Sequence, residues 1–345
     1  MTHHSYYFMK ILALQLKRIG DLILTAPALF ALRQRHPEAH ITLAIQDGCR
    51  ELLPALDFVD DTLIHSRKEG NAPLWWKMVF THFDFCLDFT GNDRSALFSV
   101  LSKAPKRVAF QSVRDSSARS IFYNCFVDSP VRDCHTVDHY LHLLRCLDIE
   151  VWGEGIPLHL PEWASKKAGQ VLAARDVAPP YIMIQPGSAR SEKYWSAKRW
   201  ARVIDFCNAE TPFPCILTGG RDASEQKHIG EIKAALRSPC CDLSGSVDLM
   251  TLAALARGAR LFLSVDSAAM HIAGAFATPQ IALFGPTNPF HWRPRHPRAL
   301  ILAAGNPGPL TEFKPKHAPG AMRDISVSQV TGAIKTQLGQ PQGAA

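Results

Sequence analysis

The sequence lacks the signatures that mark most nucleotide-binding and hydrolytic proteins. There is no G-x-x-x-x-G-K-[ST], and no strand leads into a G-x-G-x-x-G; Gly153 and Gly155 run on into Ile156, Pro157 and Leu158. A P-loop is therefore unsupported and a nicotinamide dehydrogenase disfavoured. No Asp-x-Asp occurs, nor any His/Cys cluster with metal spacing, so nothing supports a divalent metal carried by an acidic pair. No G-x-S-x-G argues for hydrolase chemistry. No apolar run approaches the length needed to cross a bilayer. No run of basic residues is longer than two, which argues against a dedicated nucleic-acid surface.

What is present is a chain of 345 residues, 47% hydrophobic and 20% charged. That length suits two domains of roughly 150 residues each. The net charge of +7 favours anionic partners, such as phosphates or an anionic membrane surface. The nine cysteines are odd in number and irregularly spaced, with no C-x-x-C. Neither a disulfide framework nor a zinc site is expected; reduced thiols in the cytoplasm are. The apolar run Ile11 to Leu16 is followed by Lys17 and Arg18 without a cleavage site, so no signal peptide is expected.

Strand-like and helix-like stretches alternate. Ile11 to Leu16, Ile41 to Ile45 and Phe85 to Phe89 have the length and apolarity of buried parallel strands. A helix is expected from Asp21 to about His36, with Leu22, Ala26, Leu29 and Phe30 on one face, and another over Ser95 to Leu101. Gly153, Gly155, Pro157 and Pro161 punctuate a hinge, followed by a helical segment over Ala164 to Arg175. The alternation then resumes. Strands are expected at Tyr181–Ile184, Cys215–Thr218, Leu261–Val265 and Gln280–Phe284, and helices at Ala223–Leu236, Leu249–Arg257 and Ala268–Ala277. The class is α/β, with two facing Rossmann-like domains over residues 9–163 and 164–338, parallel sheets and an interdomain cleft. The tail Gly339–Ala345 is small and polar and is expected to be disordered.

Five turns could carry chemistry. Gly20-Asp21 stands at the first strand-to-helix turn, where a carboxylate either faces the ligand site or caps the helix. Gln185-Pro186-Gly187-Ser188 follows a strand and can offer backbone N–H groups to a phosphate, with Lys193 as a point charge beyond it; alternatively it is an ordinary surface loop. Thr218-Gly219-Gly220-Arg221-Asp222 precedes Glu225, which can accept hydrogen bonds from ribose hydroxyls or make a first-turn capping interaction. Asp266-Ser267-Ala268 follows a strand and opens a helix on small residues, which suits an anion at the helix N-terminus. His271 lies about one turn in, either facing that site or structural. Gly285-Pro286-Thr287-Asn288, with Trp292-Arg293-Pro294 after it, is a fifth strand-end turn, or loop punctuation.

Together these segments resemble glycosyltransferase family 9, the ADP-heptose:lipopolysaccharide heptosyltransferases. The resemblance rests on Met9–Ala31, Leu87–Leu97, Ile184–Trp200 and Asp242–Thr287. The Thr90-Gly91-Asn92-Asp93-Arg94 stretch, His139-Tyr140 and Trp292-Arg293-Pro294 look most similar to the heptosyltransferase III branch. The resemblance implies a GT-B fold and an inverting, metal-independent transfer of heptose from ADP-heptose to a lipopolysaccharide inner core, with no cofactor. By position it implies Asp21 as catalytic base and Lys193 on the donor phosphates. Asp266, Ser267 and Ala268 would form the phosphate turn, with His271 after it. Gly187 and Ser188 would contact the donor, and Glu225 its ribose. Arg18, Arg94 and Arg119 are candidates for the anionic acceptor, which the +7 balance also suits. Gln185 stands where many members have His, and Ser267-Ala268 where others have Thr-Gly; the first is expected to matter little if the backbone does the binding, and the second still leaves small residues and N–H donors for an anion. The implied place is the cytoplasm, with contact at the inner membrane and no nucleic-acid partner. The rival readings are a non-catalytic binder of nucleotide sugar or lipopolysaccharide on the same fold, a transferase using another nucleotide sugar, and an epimerase, whose extra acid/base groups are not identifiable.

Overall fold

The computed structural model of the chain describes residues 8–66, 70–116, 118–150, 155–316 and 318–339. The first seven residues, positions 151–154 of the expected hinge and the tail from 340 onward lie outside the described residues. The chain divides into two compact units, Met1–Gly153 and Glu154–Ala345.

The first unit runs β1 (Lys10–Gln15), α1 (Ile19–Arg35), β2 (His40–Gln46), β3 (Asp61–His65), α2 (Ala72–Phe80), β4 (Phe85–Asp88), α3 (Asp93–Leu101), β5 (Lys106–Phe110), α4 (Gln111–Ser116), β6 (Cys125–Val127) and α5 (Thr136–His142). Its strands are parallel and ordered β3-β2-β1-β4-β5-β6. Ile11, Leu12, Ala13 and Leu14 are all fully buried, as a central strand covered on both faces requires. Each large aliphatic side chain so buried contributes about 1.5–3 kcal/mol. α1 begins two residues earlier than its apolar face indicates, and Leu22, Ala26 and Leu29 are buried on it. Phe30, expected on the same face, is instead 39% exposed and meets Phe58 edge-on.

The second unit runs α6 (Glu162–Ala174), β7 (Ile182–Gln185), α7 (Ala197–Glu210), β8 (Cys215–Leu217), α8 (Ala223–Ala235), β9 (Cys241–Asp242), α9 (Leu249–Gly258), β10 (Leu261–Val265), α10 (Ala268–Ala275), β11 (Gln280–Phe284), α11 (Pro289–Trp292), β12 (Ala299–Ala303) and α12 (Val327–Gly339). Its sheet is also parallel, in the order β12-β11-β10-β7-β8-β9. Trp195 and Trp200, edge-to-face at 5.1 Å and fully buried, anchor its core beside Ile204, Ile325 and Ile334.

Counted from its own first strand, each sheet reads 3-2-1-4-5-6. The connections reverse between the first and fourth strands, and ligands of such sheets bind beyond the strand ends at that reversal. The reversal falls between β1 and β4 in the first unit and between β7 and β10 in the second.

Candidate functional site

In the second unit Ser264 of β10 pairs with Gln185 of β7. The turns Pro186-Gly187-Ser188 and Asp266-Ser267-Ala268 therefore leave the sheet side by side, at the reversal. Ser267 caps α10, its hydroxyl accepting from the Met270 N–H at 3.4 Å. The N–H groups of the first turn, at Ala268 and Ala269, precede the intrahelical ladder and carry the positive end of the helix dipole. Ala268 puts only a methyl group there.

Lys193 ends a short 3₁₀ turn, Ser191–Lys193. Its Nζ lies 2.6 Å from Asp266 Oδ2, with side-chain exposures of 13% and 7%. Thr287, in the turn after β11, donates to the same oxygen at 2.6 Å. Three segments far apart in sequence thus hold one ammonium group at the mouth of α10. The turn is pinned on its far side by Trp195, whose indole N–H donates to the Ile325 carbonyl at 2.9 Å. Asp266 holds the cation, and the backbone N–H donors of the first turn of α10 follow directly after it. Neither Asp266's grip on Lys193 nor the part of Thr287 is visible in local spacing.

Glu225 stands in the first turn of α8, but the cap of that helix is Asp222, which accepts from the Ser224 N–H at 2.9 Å. Glu225 is instead 8% exposed and accepts from Gln185 Nε2 at 2.7 Å. Gln185 Oε1 in turn accepts from the Thr218 hydroxyl at 2.9 Å. Burial raises the Glu225 carboxyl above its ordinary value, against hydrogen bonds from the Gly220 backbone and Gln185 that lower it. A methyl group at Gly187 would stand 2.1 Å from Glu225 Oε1, so any larger residue there would displace this carboxylate. The Gln185 side chain bridges Thr218 and Glu225 and fixes the carboxylate. His271 is buried in α10, and Ser188 is half-buried at the end of its turn.

In the first unit Leu14 of β1 pairs with Asp88 of β4. The following loops are joined where the Leu16 N–H donates to Thr90 Oγ1 at 2.7 Å. Asp88 is fully buried and accepts from the N–H groups of Thr90 and Gly91 at 2.7 and 3.1 Å. Burial raises its carboxyl pKa, with Ser95, Tyr123 and those N–H groups pulling the other way. It shapes the loop ahead of α3.

Asp21 is the third residue of α1, whose N-cap is Arg18. The capping alternative for Asp21 therefore fails. Its Oδ1 accepts from the Tyr140 hydroxyl at 2.9 Å. Its backbone carbonyl accepts from Thr25 Oγ1 at 2.8 Å, and Thr25 Oγ1 accepts from Gln15 Nε2 at 2.7 Å. Of the three arginines, Arg18 is exposed at the start of α1 and Arg94 half-buried in the first turn of α3. Arg119 donates to the Gly91 carbonyl at 2.9 Å and lies 3.4 Å from Asp93. The joined loops place Arg18, Gly91 and Arg119 at the same end of the sheet as Asp21.

The charge is divided unevenly. Residues 1–153 contain 17 Lys and Arg against 17 Asp and Glu, and residues 154–345 contain 21 against 14. The whole +7 excess lies in the unit that carries Lys193 and α10. Among the described residues no group of three or more His, Cys, Asp or Glu could hold a metal ion. No helix among them is long and apolar enough to cross a membrane.

A family model described as glycosyltransferase family 9 (heptosyltransferase) matches residues 73–319; Asp21 lies ahead of that span. Lipopolysaccharide heptosyltransferase 3 of Escherichia coli K12 is 27% identical over 297 residues, which cover 83% of this chain and 86% of the relative. Among solved structures, a glycosyl transferase family 9 protein of Veillonella parvula superposes with a TM-score of 0.80 at 22% identity, covering 96% of this chain and 97% of that one. The E. coli ADP-heptose lps heptosyltransferase II superposes with a TM-score of 0.77 at 21% identity, covering 96% and 98%. At such identities the structural likeness is one of fold.

Proposed function

The chain belongs to glycosyltransferase family 9, and from that premise we propose that it transfers heptose from ADP-heptose to the inner core of lipopolysaccharide, with inversion and without a metal ion. The relatives carry heptose transfer in their names, and the Thr90–Arg94 stretch resembles the heptosyltransferase III branch. The observation that carries the reading is the ammonium of Lys193, held at 2.6 Å by Asp266 beside the first turn of α10.

The chemistry is direct displacement at the anomeric carbon. The bond to the donor diphosphate breaks as the acceptor hydroxyl attacks, and the anomeric configuration inverts. The departing ADP gains negative charge, and fixed positive groups stabilise that charge most where they are already in place. Lys193 and the N–H groups at Ala268 and Ala269 supply them. Gly187 and Ser188 border the same turn, and Glu225 is the acceptor for ribose hydroxyls. His271 lies behind the phosphate turn. Asp21 takes the proton of the acceptor hydroxyl, with the lipopolysaccharide phosphates met by Arg18, Arg94 and Arg119. Residues 9–163 bind the acceptor and residues 164–338 the donor. The lipid anchor of the acceptor places the reaction at the cytoplasmic face of the inner membrane. A non-catalytic binder of the same ligands has no use for Asp21.

The test is a panel of nucleotide sugars. ADP-heptose should raise the melting temperature most, since a ligand of the native state stabilises in proportion to its affinity. It should also be consumed, and NMR of the product should show an inverted anomeric centre. Stabilisation by a different nucleotide sugar, with ADP-heptose inert, would overturn the donor assignment.

A further inference from the structure

Tyr140 lies 119 positions from Asp21 in sequence, yet its hydroxyl donates to Asp21 Oδ1 at 2.9 Å. The placement is built in. Val137, Tyr140 and Leu141 follow the i, i+3, i+4 spacing of one helical face and are all buried, Tyr140 at 1% exposure. That face packs α5 against α1. The Tyr140 ring meets Phe89 edge-on at 6.0 Å, and the Lys17 ammonium lies 5.6 Å from its centroid. Gln15 donates to Thr25, which donates to the Asp21 carbonyl. Backbone and carboxylate of Asp21 are thus each held by a buried partner. Burial and the Asp21 charge push the phenol well above its ordinary pKa, so it stays a donor. Among the described residues Asp21 Oδ2 has no hydrogen-bond partner.

We infer that Tyr140 is the positioning residue for Asp21: its hydroxyl engages Oδ1 and leaves Oδ2 as the oxygen that receives the acceptor proton. The inference rests on Asp21 being the base. A base that can rotate away spends less time in the reactive geometry, and a misplacement of about 1 Å can cost roughly 10²-fold in rate.

The test is a kinetic cycle of Tyr140→Phe, Asp21→Asn and the double variant, with ADP affinity and melting temperature measured for each. Tyr140→Phe should lower kcat by roughly 10–10²-fold while KM for ADP-heptose and ADP affinity stay unchanged. In the Asp21→Asn background the same substitution should cost nothing further, because no base remains to be positioned. Equal losses in both backgrounds would show that Tyr140 acts through the fold alone and would overturn the inference. So would wild-type kcat in Tyr140→Phe beside a slow Asp21→Asn, which leaves the base reading standing. A fully active Asp21→Asn would overturn both. Should Tyr140→Phe lack a cooperative melt, Tyr140→Met fills the apolar space without a hydroxyl and runs the same cycle to the same outcomes.

Discussion

Lys193→Ala should harm the protein in two separable ways. The lysine and Asp266 are 13% and 7% exposed and 2.6 Å apart. Removing the ammonium leaves a buried carboxylate with the Thr287 hydroxyl as its partner. Breaking a buried pair from one side costs about 3–5 kcal/mol, because the remaining charge stays desolvated. Lys193 keeps some contact with water, so the lower end of that range applies. The second loss is the charge-assisted bond to the diphosphate, worth about 1.5–3 kcal/mol, or roughly 10–10²-fold in ADP affinity. The double variant Lys193→Met with Asp266→Asn removes both charges and should regain most of the stability while ADP binding stays weak. Urea denaturation followed by tryptophan fluorescence reads the first effect, since Trp195 and Trp200 flank the turn, and calorimetry with ADP reads the second. An unchanged denaturation midpoint in Lys193→Ala would refute the buried pair. Wild-type ADP affinity in the double variant would refute the phosphate contact.

Ala268→Asp should abolish ADP binding while the melt stays cooperative, because a carboxylate in the first turn suits the helix dipole but occupies the anion's place; calorimetry and thermal melts check it. The Glu225 carboxyl is raised by burial above 4.5, so its stabilising contribution is full below that value and is lost as pH rises through the raised folded value. Glu225→Gln should remove this decline in melting temperature with pH and lower ADP affinity as well. Transfer should survive EDTA, because Lys193 and the α10 N-terminus supply the positive charge; complete loss restored by magnesium or manganese would contradict that.

Strand-end turns were legible because each is a continuous stretch: an apolar run, then a small or polar turn, then a helix start. Ile11–Leu16, Tyr181–Ile184, Leu261–Val265 and Gln280–Phe284 fall on β1, β7, β10 and β11, strands whose burial makes them predominantly apolar. The edge strands β3, β6 and β9 escaped, being short and only partly covered. β12, Ala-Leu-Ile-Leu-Ala, reads equally well as a helix turn. Pairings across the chain were not legible at all. The turns at Asp21 and Lys193 stand out in the sequence, but not the Tyr140 hydroxyl on Asp21 or the closure of Asp266 and Thr287 around Lys193. No periodicity encodes a contact between residues 119 or 73 positions apart. The bridge made by Gln185 is illegible for the same reason, since its partners Thr218 and Glu225 lie on other elements.

The central claim is that this chain moves a heptose from ADP-heptose with Asp21 as base. The direct measurement incubates the protein with ADP-heptose and a lipopolysaccharide inner-core acceptor, and follows the acceptor by mass spectrometry beside the release of ADP. The wild type should add one heptose for each ADP released. Asp21→Asn should do so roughly 10²–10⁴-fold more slowly, the usual contribution of a positioned general base, with ADP affinity unchanged. An acceptor that gains no heptose, or an Asp21→Asn protein as fast as the wild type, would contradict the account.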